Sequence, residues 1–304
     1  MNTVDLPPLK ATLHTQLPVA NQLGEGVIWH HSTRTLWWTD IEACKLYSYS
    51  LDREFLQEWS VPERIGSFGF TSKPDLLVVA FASGFALYNY SNGDIQWLAH
   101  PEQQRPANRL NDGRVDRQGR FWAGGMVEHR EREQNSQGAG LYCLVGDCRV
   151  QQHLDGIRIS NGLCWSPEAD ILYHADSPRR VITAYAFNAT EGSLGAPRLF
   201  ATTPEGIHPD GATIDSAGQL WSAQWGGSRV VCYDRQGQIR GVLTVPVSQV
   251  SCVAFAGPQL NLLCITSART GLSEEQLLVE PDAGDLFIYE VDAHGLPETG
   301  FVLA

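Results

Sequence analysis

Oxygen-bearing side chains recur beside glycine at four points along the chain, each directly before an apolar stretch. The four segments are Glu25-Gly26, Asn111-Asp112-Gly113, Asn161-Gly162 and Asp210-Gly211. Asn-Gly and Asp-Gly are also tight-turn signals, and a single copy indicates a turn more often than a ligand. Glu is not a turn residue, however, and every copy leads into a strand-like segment. Carboxylate and amide oxygens that converge bind hard divalent cations, so together the four segments predict a metal site.

The elements that must position these residues form an internal repeat. Counterparts of the four segments occur near Gly66 and Val253, which gives six units of about 40–50 residues, each with three or four short strand signals. This pattern predicts an all-β, six-bladed β-propeller, and no segment longer than ten residues has a convincing helical period. We expect residues 1–304 to form one domain, with residues 1–20 as an N-terminal arm. Because an open blade leaves an unpaired edge, either this arm or residues 295–304 should supply the strand that closes the ring.

In a propeller the first strand of each unit lines the central channel, so the repeat places its anchor residues around one mouth. These residues are Glu25, Ser67, Asn111-Asp112, Asn161, Asp210 and Ser251. Several blades therefore aim oxygens at one axis, where two or three protein ligands and water can complete a cation site.

Composition narrows the range of partners. With 22 basic and 34 acidic residues, the net charge of −12 disfavours nucleic acid and anionic membranes as partners. The seven cysteines are odd in number and contain no Cys-x-x-Cys motif, which favours reduced thiols and a cytoplasmic location. No Gly-x-Ser-x-Gly or His-Glu-x-x-His motif is present, which argues against a serine-hydrolase elbow or a zincin. The oligomeric state is not indicated by the sequence.

Several motifs together resemble one known family. Residues 23–29, 36–41, 109–116, 119–126, 160–166 and 209–211 resemble, in order and spacing, the gluconolactonase/regucalcin (senescence-marker protein) family of sugar lactonases. The resemblance extends from about residue 20 to 290. It implies one divalent metal ion on the propeller axis, held by Glu25, Asn161 and Asp210, with Arg109 and Asn111 facing the sugar.

The resemblance is incomplete at one position. A further family glutamate that contacts substrate falls on His129 here, with Glu128 beside it, so the contact at this position stays open. The neighbouring polar run, residues 128–140, is interpreted as a solvated loop, with a lid over the mouth as the alternative.

The resemblance implies a metal-dependent hydrolase that opens a sugar-acid lactone, such as glucono-, galactono-, arabino- or xylonolactone. The oxygen ligands suit calcium, magnesium or manganese, and zinc can also take such a site. Asp210 is expected both to bind the ion and to accept a proton from water. Arg109 is expected to hold substrate hydroxyls or the oxyanion, and its alternative is a salt bridge to Asp112 or Glu128. His208, two residues before Asp210, is the histidine expected nearest to the site.

Two other functions remain open at this point. One is a lactonase or arylesterase of the phosphotriesterase type, which acts on apolar lactones and would call for an aromatic-rich pocket. The other is a non-enzymatic, metal-binding propeller, which would not need an arginine beside three ring-facing ligands. The polar residues expected at the mouth, Arg109, Asn111 and Ser67, favour a sugar lactone as the small-molecule partner.

Overall fold

The computed structural model describes residues 6–129, 131 and 137–303, whose regular structure is almost entirely β-strand. The strands form six four-stranded antiparallel sheets, which are the six blades of a β-propeller. The predicted fold is therefore confirmed. The first three blades contain β2 (Gly24–His30), β3 (Thr35–Asp40), β4 (Lys45–Ser50) and β5 (Phe55–Ser60); β6 (Ile65–Phe70), β7 (Leu76–Phe81), β8 (Gly84–Asn89) and β9 (Ile95–Ala99); and β10 (Asn108–Val115), β11 (Phe121–Val127), β12 (Ala139–Leu144) and β13 (Val150–Ile157).

The remaining three blades include the closure of the ring. They contain β14 (Ser160–Trp165), β15 (Ile171–Asp176), β16 (Val181–Asn188) and β17 (Ser193–Thr202); β18 (His208–Ile214), β19 (Leu220–Trp225), β20 (Arg229–Tyr233) and β21 (Ile239–Thr244); and β22 (Val250–Ala256), β23 (Leu262–Ser267), β24 (Leu286–Val291) and β1 (Ala11–Leu17). β1 pairs with β24 as the outer strand of the sixth blade. The N-terminal arm, rather than the C-terminal residues, thus completes the last sheet. That residues 1–304 unfold as one domain stays a prediction.

Two short helical pieces stand among the strands of the described residues. One is α1 (Glu274–Val279), which Ser273 begins with a capping box and which lies between β23 and β24 of the sixth blade. The other is a 3-10 turn over Ser177–Arg179, directly after β15. Neither is long and apolar enough to cross a membrane, and no other helix of the described residues is.

The first strands of the blades, β2, β6, β10, β14, β18 and β22, contact one another around the axis. Each pairs with its second strand through a β-bulge at the anchor of the repeat, for example between Glu25 and Ile28 and between Asn161 and Cys164. A bulge leaves an extra residue unpaired and turns its neighbours' side chains. Gly26 and Gly162, with φ of +60° and +63°, occupy positions that favour glycine. The recurring glycines therefore mark bulges inside strands, not hairpin turns.

The C-terminal residues close the opposite end of the channel. The Phe301 amide donates to the Phe70 carbonyl at 2.7 Å, and the Val302 amide donates to the Gly119 carbonyl at 2.9 Å. Phe301 is buried in the apolar cluster between the second and third blades. Glu298 forms a salt bridge with Arg114 of β10, so the tail brings a charge to the base of the channel.

Candidate functional site

A cavity of about 400 Å³ opens where the innermost strands begin. The five residues singled out in the sequence, Glu25, Arg109, Asn111, Asn161 and Asp210, all line it. They come from β2, β10, β14 and β18, and the bulges of these strands set the directions of the side chains. The repeat thus brings together residues that are up to 185 positions apart in the sequence.

Two other anchor residues serve the scaffold instead. The Ser67 hydroxyl donates to the Asn111 carbonyl at 2.9 Å, and the Ser251 hydroxyl donates to the Gly24 carbonyl. Each bond joins neighbouring innermost strands, and neither serine lines the cavity. The expectation that Ser67 contributes a polar group to the mouth is therefore wrong, because its hydroxyl is already used between blades.

Buried carboxyl groups dominate the floor of the cavity. Burial raises the pKa of Glu25 to about 8, and the nearby charge of Asp112 adds to the shift. Burial also raises the pKa of Asp210 well above its usual range, with further contributions from Glu25 and Asp112. Asp112, whose carboxylate accepts from the Leu163 amide at 3.0 Å, has its pKa raised by burial to about 6. These carboxylates are close enough to oppose one another's ionisation.

This electrostatic arrangement fits a divalent cation. Two buried carboxylates that disfavour ionisation together are stabilised by two positive charges, and the amide oxygen of Asn161 adds a neutral ligand. Within the described part of the chain no group of three or more His, Cys, Asp or Glu side chains is arranged to hold a metal ion. The candidate set is accordingly two carboxylates and one amide, leaving other positions for water.

Hydrogen bonds fix the orientation of Asn161. Its Nδ2 donates to the Ser177 hydroxyl at 2.8 Å, and that hydroxyl donates to the Pro209 carbonyl at 2.7 Å. Its Oδ1 accepts from Asn111 Nδ2 at 3.1 Å. This chain links the fourth blade to the residue before Asp210. It also directs the Asn161 amide so that one Oδ1 lone pair stays available.

Arg109 is held almost as tightly. Its Nε donates to Glu128 Oε1 at 3.0 Å, and its Nη1 donates to the Leu110 carbonyl at 3.0 Å and to Asn111 Oδ1 at 2.7 Å. Of the two salt-bridge partners considered from sequence, Glu128 is thus the one it contacts. Nη2 has no hydrogen bond to any described residue, so two of the five guanidinium donors remain for a ligand.

Glu128 and His129, which stand where the resembling family has a substrate-binding glutamate, do not line the cavity that the described residues form. Glu128 forms salt bridges with Arg109 and Arg64, and His129 is about half exposed. The polar run that follows is interpreted as a loop or a lid. Most of it, residues 130 and 132–136, lies outside the described part of the chain, so both interpretations stay predictions.

His208 does line the cavity, and its Nδ1 bonds the Ser177 carbonyl at 3.0 Å. Sequence reasoning missed the apolar walls around it. They are formed by Leu23, Ile41, Met126, Ile159, Pro178 and Trp225. All six residues lie within two positions of a strand end. Only Leu23 and Ile159 lie two positions from a predicted ligand in the sequence, so the walls had little signal there. The cavity therefore has a polar floor and apolar walls, which differs from the polar mouth that was expected.

The chain is similar in sequence to proteins of one known family. A family described as "SMP-30/Gluconolactonase/LRE-like region" matches residues 23–269. L-arabinolactonase of Azospirillum brasilense is 36% identical over 284 residues, covering 92% of both chains. 6-Deoxy-6-sulfogluconolactonase of Pseudomonas putida is 33% identical, covering 96% of this chain and 99% of the relative.

A solved structure agrees with the fold. It is that of a calcium-binding protein, regucalcin, from Agrobacterium tumefaciens, which superposes with a TM-score of 0.89 at 26% identity. The superposition covers 98% of this chain and 99% of the other. With the family match across most of its length, the chain belongs to the SMP-30/gluconolactonase/LRE-like family.

Proposed function

We propose that this protein is a sugar lactonase, a carboxylic ester hydrolase that opens an aldonolactone to the aldonic acid. The observation that carries the proposal is one cavity that combines Glu25, Asp210 and Asn161 with Arg109 and Asn111. The lactonase names of two relatives support it. The seven cysteines, all unpaired, support action in a reducing compartment, for which we propose the cytoplasm.

The proposal includes one divalent cation held by Glu25, Asn161 and Asp210. The regucalcin of Agrobacterium tumefaciens is a calcium-binding protein, and oxygen ligands suit calcium, magnesium, manganese or zinc. When bound, such a cation polarises a carbonyl group and acidifies water. The carboxylates favour this cation because burial raises the pKa of both, and the charge of Glu25 raises that of Asp210 further.

The protein's own residues then divide the work. Asp210 accepts the proton of the attacking water at a carboxylate oxygen, as general base. Arg109 directs its free Nη2 toward the substrate hydroxyls or the developing oxyanion, and Asn111 retains one acceptor site on Oδ1. The apolar walls exclude water around the ring, which strengthens these polar contacts.

A second candidate activity is favoured by those same walls. Six apolar residues, including Trp225, could hold an apolar lactone or aryl ester, as in a lactonase or arylesterase of the phosphotriesterase type. The two candidates differ in the use of Arg109 and Asn111. Only a hydroxylated substrate has partners for both residues, and we therefore prefer the sugar lactone.

The experiment is a proton-release assay over glucono-, galactono-, arabino- and xylonolactones, with an alkyl γ-lactone and phenyl acetate as apolar comparators. Protein treated with EDTA should be inactive and should recover on addition of one of the four cations. Asn161→Ala should bind the cation at least about 10-fold more weakly by calorimetry, since it loses a ligand. Greater kcat/KM for the apolar comparators would favour the second activity. Cation affinity equal to that of the wild type would contradict the ligand assignment.

A further inference from the structure

Arg64, which lies outside the cavity, contacts the residue that holds Arg109. It directly precedes β6, and its Nη1 and Nη2 donate to the two Glu128 oxygens at 2.7 and 2.8 Å. Nη1 also donates to Glu42 at 3.1 Å. The Arg64 side chain is 27% exposed and that of Glu128 20%, so this fork is partly shielded from water. Charge-assisted, bidentate pairs of this kind fix geometry as well as charge.

The Glu128 carboxylate is therefore shared unequally by two arginines. Its Oε1 accepts from both Arg64 and Arg109, whereas its Oε2 accepts from Arg64 Nη2 at 2.8 Å. Burial raises the pKa of Glu128, but hydrogen bonds and charge from Arg64 and Arg109 outweigh burial and lower it to about 2. The Glu128 backbone is fixed too, because its amide donates to the Ala107 carbonyl at 2.9 Å.

Because Arg64 and Arg109 both bind the Glu128 carboxylate, the contact with Arg64 determines which N–H groups of Arg109 remain for a ligand. A carboxylate beside an arginine prefers two parallel hydrogen bonds, and the Nε and Nη2 edge offers such a pair. Because the Arg64 fork sets the plane of the Glu128 carboxylate, Arg109 bonds it through Nε alone. Its Nη1 is occupied by Leu110 and Asn111, so Nη2 is the donor left for substrate.

We propose that Arg64 is a positioning residue for substrate binding, which keeps Glu128 from occupying the free Nη2 of Arg109. This role rests on the proposed lactonase function and concerns the affinity for the lactone rather than the chemical step. Without Arg64, the Glu128 carboxylate turns to pair with both Nε and Nη2 of Arg109. The substrate then competes with an internal carboxylate for the same donor.

The test is the steady-state kinetics of Arg64→Gln on the best aldonolactone of the panel, at saturating cation. KM should rise about 10-fold, the loss expected for one charged hydrogen bond, while kcat stays within about threefold of the wild type. Arg64→Lys keeps the charge without the fork and should lie between the two. Arg34→Gln, which breaks a salt bridge to Asp52 in the first blade, is the control and should leave KM unchanged.

A double variant separates positioning from a merely structural role. In Arg64→Gln/Glu128→Gln the competing charge is gone, so KM should fall back toward the wild-type value. Loss of a purely structural contact would instead make the double variant as poor as the single variant or worse. Circular dichroism and cation affinity should match the wild type in each case, and Arg64→Lys serves if Arg64→Gln does not fold.

The outcomes distinguish failure of the Arg64 role from failure of the lactonase proposal. An unchanged KM in folded Arg64→Gln, or no recovery in the double variant, overturns the role of Arg64 and leaves the lactonase proposal intact. A wild-type protein that turns over no sugar lactone counts against the proposed function itself, and this inference falls with it.

Discussion

The two ends of the axial channel differ in how their buried charged groups are paired. At the base, Arg114 of β10 pairs with Glu298 of the C-terminal tail, and both side chains are largely buried. At the mouth, burial and the charge of Asp112 raise the pKa of Glu25, and the charge of Arg109 offsets only part of that shift. Burial and the charge of Glu25 raise the pKa of Asp210. One strand, β10, contributes to both ends, because it carries Asn111 at the mouth and Arg114 at the base.

The difference separates scaffold from site. A buried charge with an opposite partner is satisfied by the fold, and the base needs nothing further. The carboxylates at the mouth stay in an unfavourable arrangement unless a cation or a proton joins them. Strongly perturbed carboxylates in a cavity are typical of functional sites. Substitutions at the mouth should therefore change catalysis and cation binding, whereas those at the base should change stability.

The largest effect is expected at the mouth, from Asp210→Asn. The amide keeps an oxygen ligand but cannot accept the proton of water, so kcat should fall about 10²- to 10⁴-fold, or about 3–5 kcal/mol. The measurement is kcat at saturating cation and lactone. Near-wild-type turnover would place the base elsewhere, with His208 the next residue to test. Complete loss of the cation would support only the ligand role.

A second prediction concerns the stability of the cation-free protein. Because the pKa of Glu25 is raised to about 8 from 4.5, the folded state keeps a proton that the unfolded state loses. Stability should therefore fall as the pH rises through 8. Glu25→Gln has no such titration and should make the dependence less steep, while the contribution of Asp210 remains.

The measurement is the urea midpoint between pH 7 and 9 in EDTA. Above pH 7 the histidines contribute little, since they are neutral in both states. At saturating cation the urea midpoint of wild type and variant should depend on pH with the same slope, because the carboxylate that binds the cation stays ionised. If cation-free Glu25→Gln had the same slope as the cation-free wild type, the pKa of Glu25 would not be raised in the folded protein.

The fold and the floor of the site could be predicted because both depend on the repeat. Six copies of one unit indicate a propeller, and Glu25, Asn161 and Asp210 stand at equivalent points of that unit. The closing strand was left between two alternatives, since the sequence of either terminus can form an edge strand. The pairing of β1 with β24 depends on contacts that only the closed ring creates.

The rest of the site depends on contacts that no spacing reveals. Arg64 and Glu128 lie on adjacent blades, and their pairing is set by how the second and third sheets pack. Trp225 and Met126 look like ordinary strand residues until the ends of β19 and β11 are seen at one mouth. Ser67 was misjudged because its place in the repeat does not tell whether its hydroxyl bonds a neighbouring blade.

The smallest effect on catalysis is expected at the base, from Glu298→Gln. Arg114 would keep its bond to the Ala212 carbonyl at 3.1 Å but lose its opposite charge. Breaking a buried pair costs about 3–5 kcal/mol, and the partial exposure of this pair, 12% and 19%, reduces the expectation to about 1–3 kcal/mol of unfolding free energy. The charge of Glu298 is not among those that shift the pKa of Glu25 or Asp210. The kcat and the cation affinity should therefore stay within about twofold of the wild type.

Urea denaturation and steady-state kinetics of the same preparation test this prediction. Lys10→Gln, which breaks an exposed pair with Asp292, is the control and should cost less than about 1 kcal/mol. If Glu298→Gln instead weakens cation binding as much as it lowers stability, charge at the base is transmitted to the mouth. The route would be β10, or the Arg114 bond to Ala212 on β18, the strand that carries Asp210. The two ends would then form one electrostatic unit.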